Sequence, residues 1–123
     1  MPQIATISLL IIVLLFSAGC SQVEDNNSTE KQAWELIDQG ALLLDVRTPE
    51  EYQQGHLYNA LLIPHDQLAS RVSELGGDKS RTIVLYCRSG GRAGKAEAVL
   101  REHGFTDVLN AGGYQDMMKA KSN

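Results

Sequence analysis

The chain has 123 residues and a formal net charge of −4 at pH 7, with 43% hydrophobic and 21% charged residues. About 100 residues follow an apolar amino-terminal stretch, which is enough for one modest hydrophobic core and therefore one domain. The acidic balance, without a basic run or interleaved aromatic residues, argues against a nucleic-acid-binding surface.

The segment 1–19 is predicted to be an export signal. Residues 4–16 are almost entirely apolar, are fewer than the ~20 that span a bilayer, and are followed by small residues at 17–19. Small residues directly before Cys20 resemble the lipobox of bacterial lipoproteins, in which that cysteine carries lipid. We therefore expect a lipoprotein signal peptide and a domain tethered to a membrane on the periplasmic side of the bacterial envelope. Ordinary cleavage near Ala18 and an uncleaved signal anchor are the alternatives.

Residues 20–30 are polar and are predicted to form a tether with nothing to bury. The chain has two cysteines, so lipidation of Cys20 would leave Cys87 as the sole free thiol in a compartment where thiols usually pair. A disulfide between the two is the alternative, but it would block the site proposed below. An unpaired Cys87 therefore indicates a chemical role.

The domain, 31–121, is predicted to alternate helices with strands. The helical patterns, in chain order, cover 29–39, 49–54, 66–75 and 92–103 and a last helix that contains Tyr114, Met117 and Met118. The strand patterns cover 41–46, 59–64, 82–86 and 107–110. This alternation predicts an α/β fold with a parallel sheet of four to five strands flanked by helices, and a ligand site at the carboxyl ends of the strands.

Cys87 lies at such an end, between an apolar strand and a glycine-rich turn, in the sequence CRSGGR of residues 87–92. The backbone N–H groups of such a turn can converge on one anion, and the start of the next helix adds positive potential. Helix amino termini and nearby arginines favour a thiolate, so we expect Cys87 to be a nucleophile. A buried structural cysteine is the alternative, but it would need neither the arginines nor the turn.

Four motifs resemble a single-domain rhodanese in their order and spacing: DVRTPEEY at 45–52, GHL at 55–57, CRSGGRA at 87–93 and GGY at 112–114. The resemblance covers about 29–121. It implies a sulfurtransferase in which Cys87 takes sulfane sulfur from a small anionic donor such as thiosulfate and becomes a persulfide. A thiol, or cyanide in the laboratory, then accepts the sulfur. We expect a monomer without a cofactor, and the spacing of Cys87 and the histidines indicates no metal site.

The resemblance also implies roles for individual residues. Cys87 is expected to be catalytic, and the substrate is expected to contact the residues after it: Arg88, Ser89, Gly90, Gly91, Arg92 and Ala93. Guanidinium groups suit oxyanions, but Arg92 has an alternative role in an ion pair with Asp45 or Glu51. Asp45 and Arg47 are implied to support the loop, and His56 to be structural.

Other functions use the same fold. Phosphatases and arsenate reductases place one more residue between cysteine and arginine than the four, 88–91, that separate Cys87 from Arg92. A partner-fed persulfide carrier and a non-catalytic docking module are the remaining alternatives. The shorter loop and the retained thiol favour sulfur transfer over a phosphatase or a docking role.

Overall fold

The computed structural model describes residues 28–122. The predicted signal peptide, Cys20 and most of the predicted tether lie outside this range. In chain order the elements are α1 (Thr29–Asp38), β1 (Leu42–Asp45), α2 (Pro49–Gln54), β2 (Leu61–Leu62), α3 (Leu68–Arg71), a 3-10 helix (Val72–Leu75), β3 (Ile83–Cys87), α4 (Gly91–Glu102), β4 (Val108–Gly113) and α5 (Tyr114–Lys121). Within the described range no helix is both long enough and apolar enough to cross a membrane.

The four strands form one parallel sheet in the order β2-β1-β3-β4. Strand β3 lies between β1 and β4, and all five of its residues are buried. A central parallel strand is covered on both faces, which is why its sequence is continuously apolar. The predicted α/β class and parallel sheet are confirmed. Asp45 ends β1 and Cys87 ends β3, so the two residues lie at the same edge of the sheet.

The sheet separates two apolar clusters. One cluster includes residues of α3, of α4 and of the strands and the positions that follow them: Leu44, Val46, Ile63, Leu68, Leu85, Cys87, Ala96 and Leu100. The other includes residues of α1, α5, the strands and the segment after α2: Ala33, Leu43, Leu57, Val84, Tyr86, Ala111 and Met117. Because successive strand residues face opposite sides, Tyr86 and Cys87 belong to different clusters.

Local sequence accounts for α2, whose bounds agree with the predicted 49–54. The Thr48 side chain accepts a hydrogen bond from the Glu51 backbone, and the Glu51 side chain accepts one from the Thr48 backbone. This capping box, with Pro49 in the first turn, satisfies donors that a helix start leaves free.

Three predicted bounds were wrong. The pattern at 66–75 is split into α3 and a 3-10 helix, because Arg71 has the non-helical φ of −115°. The strand predicted at 59–64 is reduced to Leu61–Leu62, since Asn59 has a φ of 62° and Pro64 has no N–H to pair. The last strand continues past 110 to Gly113, through an irregularity that shapes the site.

Candidate active site

Cys87 ends β3, and its side chain lies under the turn that leads into α4. The residue is 1% exposed, and the Gly90 N–H donates a hydrogen bond to its Sγ at 2.9 Å. Gly90 has a φ of 97°, a left-handed conformation that suits glycine, and it caps α4. The first N–H groups of a helix have no intrahelical acceptor, so the thiol lies against the positive end of α4.

Strand β4 lies directly against the loop that follows Cys87. Two steps of β3, Leu85 to Cys87, pair with three steps of β4, Asn110 to Gly113, so β4 bulges beside the loop. A Cβ on Gly113 would lie 2.5 Å from the carbonyl oxygen of Arg88. The close approach of the two backbones therefore requires glycine at this position.

Asn110 fastens the bulge to the loop, a role that the sequence analysis missed. Its Nδ2 donates to the carbonyl oxygen of Gly90 at 3.1 Å, and its Oδ1 accepts the Gly112 N–H at 2.9 Å. The available signal was a polar residue at the carboxyl end of a strand, directly before the AGG of 111–113. Asn110 therefore holds Gly90, the residue whose N–H donates to Cys87 Sγ.

Asp45 and Arg47 form a buried ion pair at the neighbouring strand end. They are 0% and 5% exposed, and Arg47 Nη2 lies 2.7 Å from Asp45 Oδ2. Arg47 also donates to the carbonyl oxygen of Gly55 at 2.7 Å. Burial opposes its charge, but the hydrogen bonds and the charge of Asp45 prevail and raise the pKa of the Arg47 guanidinium. The pair ties β1 to the chain after α2, beside the Cys87 loop.

Tyr86 extends this network across the sheet and was also missed from the sequence. Its hydroxyl donates to Asp45 Oδ2 at 2.7 Å and accepts the Leu57 N–H at 3.0 Å. Burial, with the hydrogen bond to Asp45, raises the pKa of Tyr86 well above its usual range. The Tyr114 ring covers the Arg47 guanidinium at 4.7 Å and stacks on Tyr86. A tyrosine in an apolar strand was the available signal for a buried polar contact.

Arg92 takes Glu51, not Asp45, as its ion-pair partner. Its Nη1 and Nη2 contact the two carboxylate oxygens of Glu51 at 2.6 Å and 2.9 Å. The hydrogen bond from Arg92 is the main reason that the pKa of Glu51 falls to about 2. Both side chains are 27% exposed. The pair joins α2 to the first turn of α4.

The other predicted loop residues differ in what they present. Arg88 and Ser89 are exposed, as is Gly91 at the start of α4, whereas Ala93 is fully buried in the core. Among residues 28–122 no ion pair includes Arg88. The loop therefore offers an unmatched guanidinium and backbone amides to a ligand, while the Ala93 side chain faces the protein interior.

A pocket of about 370 Å³ opens beside the loop and is lined by Arg47, Glu51, Gln54, Gly55, Arg88, Tyr114 and Gln115. A depression of about 480 Å³ lies at the opposite edge of the sheet, against Gly40 and Arg81. The smaller pocket is the better candidate site, because it borders the residue that follows the only cysteine of the described range.

The described residues show no cluster of His, Cys, Asp and Glu side chains that could hold a metal ion. His56 hydrogen-bonds through Nδ1 to the carbonyl oxygen of Tyr52 at 2.9 Å and stacks on the Tyr52 ring at 3.6 Å. These are local contacts that fix the turn after α2.

Comparison with known protein families gives a match over almost all of the described residues. The family model described as rhodanese-like domain matches residues 29–120. Thiosulfate sulfurtransferase PspE of Escherichia coli K12 is 41% identical over 78 residues, which are 63% of this chain and 75% of PspE. A sulfurtransferase of Allochromatium vinosum is 43% identical over 86 residues, 69% of this chain and 78% of that protein. A tRNA uridine(34) hydroxylase of Hamiltonella defensa is 42% identical, but the chain spans 23% of its length.

Solved structures agree. A rhodanese with anions from E. coli superimposes with a TM-score of 0.59 at 41% identity, covering 62% of this chain and 89% of that one. The human single-domain sulfurtransferase TSTD1 gives a TM-score of 0.65 at 28% identity, covering 72% and 90%. The similarity thus extends over most of the length of two compact relatives.

Proposed function

The chain belongs to the rhodanese-like family, whose relatives here include sulfurtransferases, and from that premise we propose that it transfers sulfane sulfur through a persulfide on Cys87. The donor is thiosulfate or a related anion, and the acceptor is a thiol, with cyanide as a laboratory substitute. The observation that carries the proposal is the position of Cys87, whose Sγ faces the Gly90 N–H at the amino end of α4.

The reaction proceeds in two displacements at one sulfur atom. The Cys87 thiolate attacks the outer sulfur of thiosulfate, a new S–S bond forms, and sulfite leaves with the electron pair of the broken S–S bond. An acceptor thiolate then attacks the terminal sulfur of the persulfide and restores the Cys87 thiolate. This is covalent catalysis with ping-pong kinetics.

The loop amides stabilise both anionic forms of Cys87. A fixed backbone donor does not reorganise during the reaction, and one donor in a comparable anion hole contributes ~2.7–4 kcal/mol. Arg88, exposed and in no ion pair within the described chain, holds the anionic end of the donor. The anions in the E. coli rhodanese structure support anion binding at this fold.

Two features argue against a phosphatase of the same fold. Four residues separate Cys87 from Arg92, and the next position, where such an enzyme would carry its arginine, is Ala93. Ala93 is 0% exposed and packs in the core. The loop has no room for the guanidinium that a phosphate would need at this position.

We propose the envelope as the place of action. In this proposal 1–19 are a signal peptide, Cys20 carries lipid, and 20–30 tether the domain to the membrane. A Cys20→Ser variant is then expected to leave the membrane fraction and to lose the lipid mass. Retention of the variant in that fraction would contradict lipid anchoring.

The test of the activity is intact-mass spectrometry of the reduced full chain, in detergent, after incubation with thiosulfate. We expect one added sulfur atom, removed by cyanide, with an equal amount of sulfite released. The matched control is Cys87→Ser, which is expected to gain no sulfur. A folded parent that gains none would contradict the proposal.

A further inference from the structure

Three arginines surround the Cys87 site, and two of them are neutralised within the described chain. Asp45 pairs with Arg47, and Glu51 pairs with Arg92. Arg88 is exposed and belongs to no ion pair among residues 28–122. These five groups together carry one net positive charge toward a ligand.

Glu51 differs from Asp45 in where its carboxylate lies. Asp45 is fully buried behind Arg47, whereas Glu51 is 27% exposed and lines the pocket beside Arg88. The pKa of Glu51 is about 2, because Arg92 hydrogen-bonds to it, so the carboxylate is charged at every working pH. Any anion that enters this pocket meets the negative charge as well as Arg88.

The rest of the pocket suits an uncharged group. Gln54, Gly55, Tyr114 and Gln115 line it, and the remaining lining residue, Arg47, has its charge paired with Asp45. The pocket volume of about 370 Å³ falls within the roughly 300–1,000 Å³ typical of sites for organic ligands. Thiosulfate, with its few atoms and two charges, would leave most of this space empty.

We propose that Glu51 sets the charge preference of the site, favouring sulfane donors with one negative charge and an uncharged organic group, R–SO₂–S⁻ or R–S–S⁻, over the thiosulfate dianion. The organic group occupies the pocket between Gln54 and Gln115, and the anionic end faces Arg88. This inference rests on the proposed persulfide function and narrows its donor class.

The transfer step balances for such a donor. The Cys87 thiolate attacks the outer sulfur of R–SO₂–S⁻, a Cys87–sulfur bond forms, and the S–S bond of the donor breaks. The sulfinate R–SO₂⁻ leaves with the bonding electron pair, and Cys87 becomes a persulfide anion. No proton or external oxidant is needed.

The test compares thiosulfate with methanethiosulfonate, a monoanion that carries the same transferable sulfur, in the full chain and in Glu51→Gln. Glutamine preserves the capping box, so α2 is retained. Removing one negative charge near the ligand should raise kcat/KM for the dianion more than for the monoanion. We expect the ratio of thiosulfate to methanethiosulfonate kcat/KM to rise about tenfold at low ionic strength and the rise to shrink with added salt.

Two further variants sharpen the comparison. Glu50→Gln removes the same charge one position away, from an exposed residue that does not line the pocket, and should leave the ratio within about twofold of the parent. Gln54→Glu adds a carboxylate to the pocket wall without altering the pair of Glu51 and Arg92. It should lower the ratio several-fold.

The outcomes distinguish the role of Glu51 from the persulfide function of Cys87. Suppose that both donors form the persulfide and that the ratio of thiosulfate to methanethiosulfonate kcat/KM is the same in the parent, Glu51→Gln and Gln54→Glu. This result would overturn the role of Glu51 and leave the sulfurtransferase proposal intact. An equal rise in Glu50→Gln would also overturn it, by showing a general charge effect. No sulfur on Cys87 from either donor would overturn the proposed function and this inference with it.

Discussion

The side-chain amide of Asn110 donates to the carbonyl oxygen of Gly90 at 3.1 Å, and the N–H of the same Gly90 donates to Cys87 Sγ at 2.9 Å. One residue of β4 thus holds Gly90 through its carbonyl group, while the N–H of the same residue borders the thiol. This contact joins the last strand of the sheet to the loop between β3 and α4.

Asn110→Ala should slow the reaction of Cys87 in a protein that still folds. The variant loses two hydrogen bonds, to Gly90 and from Gly112, each of which contributes about 1 kcal/mol of unfolding free energy. We expect the alkylation rate of Cys87 by iodoacetamide and the rate of persulfide formation to fall about tenfold, since the Gly90 donor is no longer held in place. A urea unfolding curve measures the change in stability separately. Alkylation and persulfide-formation rates equal to those of the parent would contradict the positioning role of Asn110.

Gly113→Ala should disrupt the loop. The added Cβ would lie 2.5 Å from the Arg88 carbonyl oxygen, so one of the two backbones has to move. We expect loss of persulfide formation and about 1–3 kcal/mol of destabilisation. Gly77→Ala is the matched control, because a Cβ there meets nothing within 4 Å. Similar losses in both variants, by activity and chemical denaturation, would show that the close approach is unimportant.

Tyr86→Phe should destabilise the protein by about 1–3 kcal/mol, because the Leu57 N–H loses its acceptor and Asp45 loses a donor. The phenol also predicts a pH dependence. Its folded pKa is raised by burial, so above about pH 10 the unfolded chain ionises first and the unfolding free energy falls as the pH rises. Denaturant titrations between pH 8 and pH 11 should show a smaller fall in Tyr86→Phe; parallel curves would contradict this account.

Glu51 predicts the opposite pH dependence. Its folded pKa, about 2, lies below the ordinary 4.5, so its contribution is present at neutral pH and is lost as the pH falls from about 5 to about 2. With partial solvent screening, we expect about 2 kcal/mol of unfolding free energy from this group. Glu51→Gln should therefore show a shallower acid destabilisation in urea titrations. An unchanged slope would mean that the pair with Arg92 adds no stability.

Several local features of the fold could be predicted from the sequence. Helix α2 has its predicted bounds because Thr48, Pro49 and Glu51 act on neighbours within one turn. The apolar run at 82–86 predicted β3 within one residue, since burial on both faces demands a continuous run. The turn after Cys87 was likewise predicted from Gly90 and Gly91 in the sequence.

The sequence patterns did not predict which distant residues meet. Arg92 had two candidate partners, and the tertiary structure places Glu51, 41 positions earlier in the chain, within hydrogen-bond distance of its guanidinium. The sequence pattern indicated only an apolar strand position for Tyr86. The pairing of β1 with β3 brings its hydroxyl within hydrogen-bond distance of Asp45.

Residues close together in the chain suffice to predict the alternation of helices and strands, the thiol at a strand end and the helix start beside it. The folded chain alone reveals the bulge that brings Gly113 against the Arg88 carbonyl group, the hydrogen bond from Asn110 to Gly90 and the pocket lined by Glu51. Those features depend on the register between separate strands and on close backbone approach, which a local pattern of apolar and polar residues does not specify.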